Sequence, residues 1–184
     1  MRTLVLLSLA LVAALLLAGC TSDGAFVKGT PTLPLGYANY TDSKEGFVIA
    51  RPPGWRNEAP CCGTGAALFY PAGDDSVQIW VSRAYPDVPE AASARGYFDS
   101  LLLETLMPQG YERLAIVDVQ VNGVPAVKHT YSYIDGNGDT IQSTDVLVKE
   151  GRRVFQVSCS APADSFVANL ATFERVLRTF TLLK

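Results

Sequence analysis

Three turn signals in the second half of the chain do most to restrict what it can fold into. Asn122-Gly123, the run Asp135-Gly136-Asn137-Gly138-Asp139, and Glu150-Gly151 separate four β-rich segments: Tyr111–Val121, Val124–Ile134, Thr140–Lys149 and Arg152–Ser160. Asn and Gly accept the positive φ that tight hairpins require, and Asn-Gly is the strongest short hairpin signal. Turns this short fold each strand back on the one before it, so the spacing predicts an antiparallel meander. A helix follows: Phe166, Leu170, Phe173, Leu177 and Phe180 recur at intervals of four, three, four and three, giving one apolar face suited to packing on a sheet.

The first half supplies the rest of such a layered domain. Phe47-Val48-Ile49-Ala50 is a short β-rich run, halted and turned by Pro52-Pro53-Gly54. Ala66–Tyr70 and Ser76–Tyr85 read as two further strands joined through residues 71–75. In the second, Val77, Ile79 and Val81 share one face while Gln78, Trp80 and Ser82 share the other. Asp87 as cap and Pro89 in the first turn then predict a helix, with Ala91, Ala94, Phe98, Leu101, Leu102 and Leu106 or Met107 as its stripe and Pro108-Gly110 as its end. Three strands, a helix, four strands and a helix make an α+β domain. We expect an antiparallel sheet of about six to seven strands covered by helices, an α/β/α sandwich.

The N-terminus says where such a domain goes. Met1-Arg2-Thr3 is followed by the apolar run Leu4–Ala18 and then by Leu17-Ala18-Gly19-Cys20. The run is shorter than the roughly 20 residues of a spanning helix and fits the apolar region of a signal peptide. Leu17-Ala18-Gly19-Cys20 matches a lipobox, in which diacylglycerol is attached to the cysteine sulfur before cleavage frees the amine. Residues 1–19 are therefore expected to be a lipoprotein signal peptide, with Cys20 the lipid attachment point. Residues 21–44, rich in Thr, Gly, Pro and Ser, read as a flexible tether, and 45–184 as the folded domain. Asn39-Tyr40-Thr41 matches a glycosylation sequon, a triplet that chance also produces. The 184 residues include 15 basic and 18 acidic side chains, scattered rather than clustered, which argues against a nucleic-acid partner.

The stretch Gly46-Phe47-Val48-Ile49-Ala50-Arg51-Pro52-Pro53-Gly54-Trp55 resembles the GF-x-I-x-x-P-x-GW opening of the PsbP-like family. That family is named for an extrinsic photosystem II subunit and includes many prokaryotic lipoproteins. The resemblance extends over residues 45–184, through the Asn-Gly-turned meander to the closing Val176-Leu177-Arg178-Thr179-Phe180. It implies an antiparallel sheet with helices on its faces, and a membrane-associated accessory or binding domain. Phe47, Ile49, Pro52 and Trp55 match positions that serve core and turn, and no ion-site residue carries over to this chain.

Three cysteines remain besides Cys20. In an extracytoplasmic compartment Cys159 can bridge to Cys61 or Cys62, the adjacent pair can close on itself, or Cys159 can be a buried small apolar residue. Adjacent cysteines suit a tetrahedral metal site poorly. His129, the sole histidine, alternates with Val127, Tyr131 and Tyr133 and reads as a packed residue with one hydrogen bond. The Asp135–Asp139 run resembles the start of a calcium loop, but Val146 stands where the bidentate acid belongs, so a plain turn is the better reading. Asp74-Asp75 and Arg152-Arg153 read as solvated turns. No G-x-S-x-G, H-E-x-x-H or P-loop occurs. These observations point to a non-catalytic, lipid-anchored domain that binds or helps assemble an envelope protein complex, with no cofactor or resident metal. A small-ligand or metal-binding lipoprotein is the alternative, and an unrecognised hydrolase a third.

Overall fold

The structure, a computed structural model, describes residues 32–58, 67–83, 88–90, 92–104 and 107–183. A main sheet carries seven antiparallel strands: β3 (Trp55–Glu58), β4 (Ala67–Pro71), β5 (Gln78–Arg83), β6 (Glu112–Val121), β7 (Val124–Ile134), β8 (Thr140–Glu150) and β9 (Arg153–Pro162). Their spatial order is β3-β4-β5-β9-β8-β7-β6, so the expected meander forms half of it. A small second sheet has the order β1-β2-β10, with β1 at Ala38–Asp42, β2 at Phe47–Arg51 and β10 at Thr181–Leu182. Helix α1 spans Ala94–Glu104 and α2 spans Phe166–Leu177. The seven-stranded antiparallel sheet and its helices agree with the α+β expectation.

The main sheet has two chemically different faces. Its inner face offers Ile79, Val81, Val146, Val148, Phe155, Val157 and Cys159 to Phe47 and Ile49 of β2 and to Phe173, Val176 and Leu177 of α2, all buried. Phe47, Phe155 and Phe180 form a triangle of rings with centroids 5.7–5.8 Å apart. Each such side chain contributes on the order of 1.5–3 kcal/mol by leaving water. On the outer face, α1 covers only one end, where Ala94 and Phe98 pack on Val127, Leu147 and Val154.

Local chemistry departs from the sequence expectations at four places. Residues 38–42, assigned to the tether, form β1, and Tyr40 packs edge-on against Phe69 at 5.3 Å. Pro52-Pro53 do end β2, but Gly54 at φ +76° turns the chain directly into β3. Trp55 is consequently only half-buried rather than a core residue. Helix α1 starts at Ala94, well after Pro89, because Ser93 caps it: its Oγ accepts the Gly96 N–H at 2.9 Å. The expected cap, Asp87, lies outside the described residues. Finally, α2 stops at Leu177, and Thr179 explains why Phe180 leaves it. The Thr179 hydroxyl donates to the Val176 carbonyl at 2.6 Å and accepts the Ala50 N–H at 2.7 Å, stitching the helix end to β2. Asn122, at φ +51° in the hairpin tip, adds side-chain hydrogen bonds to the Arg178 and Phe180 carbonyls at 3.0 and 2.7 Å.

Candidate functional site

Strand alternation brings a row of polar and aromatic side chains across the outer face. The row runs from the end that α1 covers, where Phe98 meets the His129 ring edge-on at 5.2 Å, into the part that α1 leaves open. In register, Trp80 stands opposite Ser158, Ser158 opposite Asp145, and Asp145 opposite His129. The neighbouring row, two residues along each strand, is Gln78, Ser160, Ser143 and Tyr131. Trp80 keeps 40% of its surface exposed, a large value for an aromatic at the middle of a seven-stranded sheet.

Asp145 is the chemical centre of this face. Its Oδ2 accepts from the Tyr131 hydroxyl at 3.2 Å and its Oδ1 from Ser143 at 3.5 Å, with Ser158 and Gln156 as further partners. Gln156 Nε2 in turn donates to Ser158 Oγ at 3.1 Å. Burial nevertheless dominates, and it raises the carboxyl above its ordinary value of 3.8 against those hydrogen bonds. The residue retains a minority of its surface in contact with solvent. The same burial, aided by the Asp145 charge, pushes the Tyr131 hydroxyl well above the usual tyrosine range. His129 is 5% exposed. It shares a 2.9 Å hydrogen bond with the Tyr111 hydroxyl and stacks on Tyr131 at 4.6 Å. Burial, then the Arg113 charge, lowers its pKa, so the ring stays neutral near neutral pH. That is the packed, singly bonded histidine its strand position suggested.

The raised Asp145 pKa has a signed consequence. Between 3.8 and the raised value, the native state holds a proton that the unfolded chain has released, so stability falls as pH rises through that window. Asp145→Asn removes this dependence. Urea denaturation at pH 4 and pH 7 is expected to show the variant gaining stability relative to the parent at the higher pH. Parallel behaviour at the two pH values would mean that the carboxyl ionises unhindered.

Other candidate residues fall in different surroundings. Cys159 lies on the inner face, 1% exposed, its thiol pushed up to about 12 by burial and then by the Asp145 and Glu174 charges. Its suggested partners Cys61 and Cys62, and the lipid-bearing Cys20, lie outside the described residues. The Asp135–Asp139 run is a self-contained turn: Asp135 Oδ1 accepts the Asn137 and Asp139 N–H groups, each at 2.9 Å. Asp74 likewise accepts the Ser76 N–H at 3.0 Å and hydroxyl at 2.6 Å. Arg153 corrects the reading of its pair as merely solvated: it donates to the Leu183 carbonyl and to Glu150, both at 2.5 Å. Among the described residues no three His, Cys, Asp or Glu side chains gather as metal ligands, and no helix is long and apolar enough to cross a membrane.

A seven-stranded antiparallel sheet, backed by a three-stranded sheet and one helix and covered at one end of its other face by a second helix, is the PsbP-like fold. It superimposes on cyanobacterial PsbP (CyanoP) from Synechocystis sp. PCC 6803 with a TM-score of 0.58 at 13% identity, covering 90% of this chain and 99% of that one. LpqN, involved in cell envelope biogenesis of Mycobacterium tuberculosis, gives 0.57 at 15% identity, covering 80% of this chain and 91% of that one. No curated protein matches the sequence. Residues 39–182 match the family model described as the serine/threonine kinase C-terminal domain, and the chain belongs to that family. The description is of a C-terminal domain and assigns no phosphotransfer residue here.

Proposed function

We propose that this protein is a lipid-anchored envelope lipoprotein whose PsbP-like domain is a non-catalytic docking module for another envelope protein. The lipobox at Leu17–Cys20 supports the anchor and the extracytoplasmic location. The part LpqN plays in cell envelope biogenesis is consistent with that setting.

The observation that carries the docking role is the edge of the main sheet at β6, whose outer side pairs with no other strand among the described residues. Strand β6 ends the strand order, is ten residues long, and is exposed along most of its length. Leu114 and Val117 on it are 48% and 51% exposed. Natural edge strands are commonly blunted by shortness, proline, charged side chains or bulges. Strand β6 is long and has no proline; its charges sit at Glu112, Arg113 and Asp118, and a bulge falls between Arg113 and Ala115, which leaves Leu114 and Val117 as its exposed large apolar side chains. Such an edge suits a partner that adds an extended strand, its main chain supplying the hydrogen bonds and its side chains meeting Leu114 and Val117.

A photo-crosslinking amino acid at Val117, in the full-length lipidated protein in its own cells, is expected to capture one reproducible neighbour. The same group at Val167, exposed on α2, serves as the control. An identical capture profile at both positions would overturn docking at this edge.

A further inference from the structure

We infer that this domain carries a second binding site, distinct from the open edge of β6, for a short uncharged oligosaccharide. The site is the open groove of about 760 Å³ at the end of the main sheet where β5, β9, β8 and β7 meet the Asp135–Asp139 turn. That volume lies within the roughly 300–1,000 Å³ typical of small-ligand sites.

The lining chemistry selects the ligand class. Gln78, Tyr133 and Ser160 come from the outer face of the sheet, while Asp75, Asn137 and Asp139 come from the turns at its rim. Carboxylates, carboxamides and hydroxyls form hydrogen bonds with the hydroxyl-rich edge of a sugar, and carboxylate acceptors make the stronger charge-assisted kind. None of the described lining residues is Lys, Arg or His, while Asp75, Asp135, Asp139 and Asp164 are acidic, so phosphate, sulfate and uronate groups would meet net repulsion. A purely apolar ligand would strand these polar groups without partners.

The aromatic component is also in place. Trp80 lies two residues from Gln78 on the same strand face, at roughly 7 Å along the strand. With 40% of its surface exposed it offers a flat apolar platform beside the polar groove. A pyranose ring has one apolar C–H face and a hydroxyl edge, which is the pairing that Trp80 and the groove present together.

The groove is held ready rather than formed on binding. Asp135 spends its carboxylate within its own turn, accepting the Asn137 and Asp139 N–H groups, which fixes the loop bearing Asn137 and Asp139. Gln78 Nε2 donates to the Asp75 carbonyl at 2.8 Å, tying the β5 side of the groove to the rim. Groups already ordered lose little conformational freedom when a ligand arrives.

Isothermal titration of the mature full-length protein in detergent with short oligomers of glucose, mannose and N-acetylglucosamine tests the site. Saturable binding to at least one is expected, weakened about tenfold or more by Trp80→Ala and by Asp139→Ala. Both positions are solvent-facing, and unchanged thermal melting would show that the variants are folded. Four outcomes would overturn the assignment: no binding of any neutral oligomer, binding unaffected by both substitutions, tighter binding of an oligouronate, or preferential binding of a lysine-rich peptide. Crosslinking at Val117 reads a different strand, so failure here leaves the β6 result standing, and the reverse also holds.

Discussion

Phe47→Ala is expected to lower the stability of the domain by about 3–5 kcal/mol. Phe47 is fully buried and its ring meets Tyr40, Phe155 and Phe180, side chains from β1, from β9 and from the residues after α2. Removing it opens a cavity between two sheets whose backbones are held by their own ladders, so the walls collapse little. The loss would appear in guanidinium denaturation as a lower midpoint with an unchanged slope. A loss under about 1 kcal/mol would mean that the small sheet comes away before the main one unfolds, and that β2 lies outside the cooperative unit. Trp55→Ala is expected to cost less, because Trp55 sits half-buried on β3.

The second large effect concerns location. Cys20→Ser is expected to leave a full-length precursor that takes up no labelled lipid and is no longer processed at Gly19-Cys20. Serine keeps the size of the side chain but lacks the sulfur to which, on the proposed reading, diacylglycerol would be joined. Each buried CH₂ of an acyl chain contributes about 0.8 kcal/mol, so losing all of them removes stable anchoring. Metabolic labelling and immunoblotting of membrane fractions provide the readout. Normal processing and lipid uptake by the variant would refute the anchor assignment.

Long strands with strong turn chemistry were readable from the sequence because their information is local. Asn122-Gly123 dictates a hairpin whatever surrounds it, and the alternation of Val77, Ile79 and Val81 with Gln78, Trp80 and Ser82 assigned both faces of β5 correctly. Three of the short strands were not readable, although β2 and β4, five residues each and rich in apolar side chains, were. β1, β3 and β10 have five, four and two residues, and each exists because a distant partner pairs with it. Nothing within Thr181-Leu182 announces a strand; Val48 and Phe47 do, through pairing. The helix end was misjudged for the same reason: Phe180 continues the apolar spacing of α2, but Thr179 bonds to Ala50 and redirects the chain.

The outer-face site was partly visible. His129 was noticed as the single histidine, and its alternation with Tyr131 and Tyr133 was correct. Asp145 was passed over inside a run recognised only as a strand, although an acidic residue at mid-strand is uncommon enough to have been a signal. Its importance depends on register, which sets Tyr131, Ser143, Gln156 and Ser158 around it from three strands. No property of Thr140–Glu150 alone contains that arrangement.

The pairing of β2 with β10 bears on how the polypeptide travels. The hydrogen bond from Ala50 to Thr179 spans 129 residues, and Phe180 completes a ring cluster begun at Phe47. During synthesis from the N-terminus, the small sheet and the inner core therefore lack their closing pieces until residues 179–182 have emerged. Contacts so far apart in sequence form late and slowly. The delay keeps the emerging polypeptide loose, the condition in which a translocation channel could thread it, so that in an exported lipoprotein, as proposed above, consolidation would follow on the far side of the membrane.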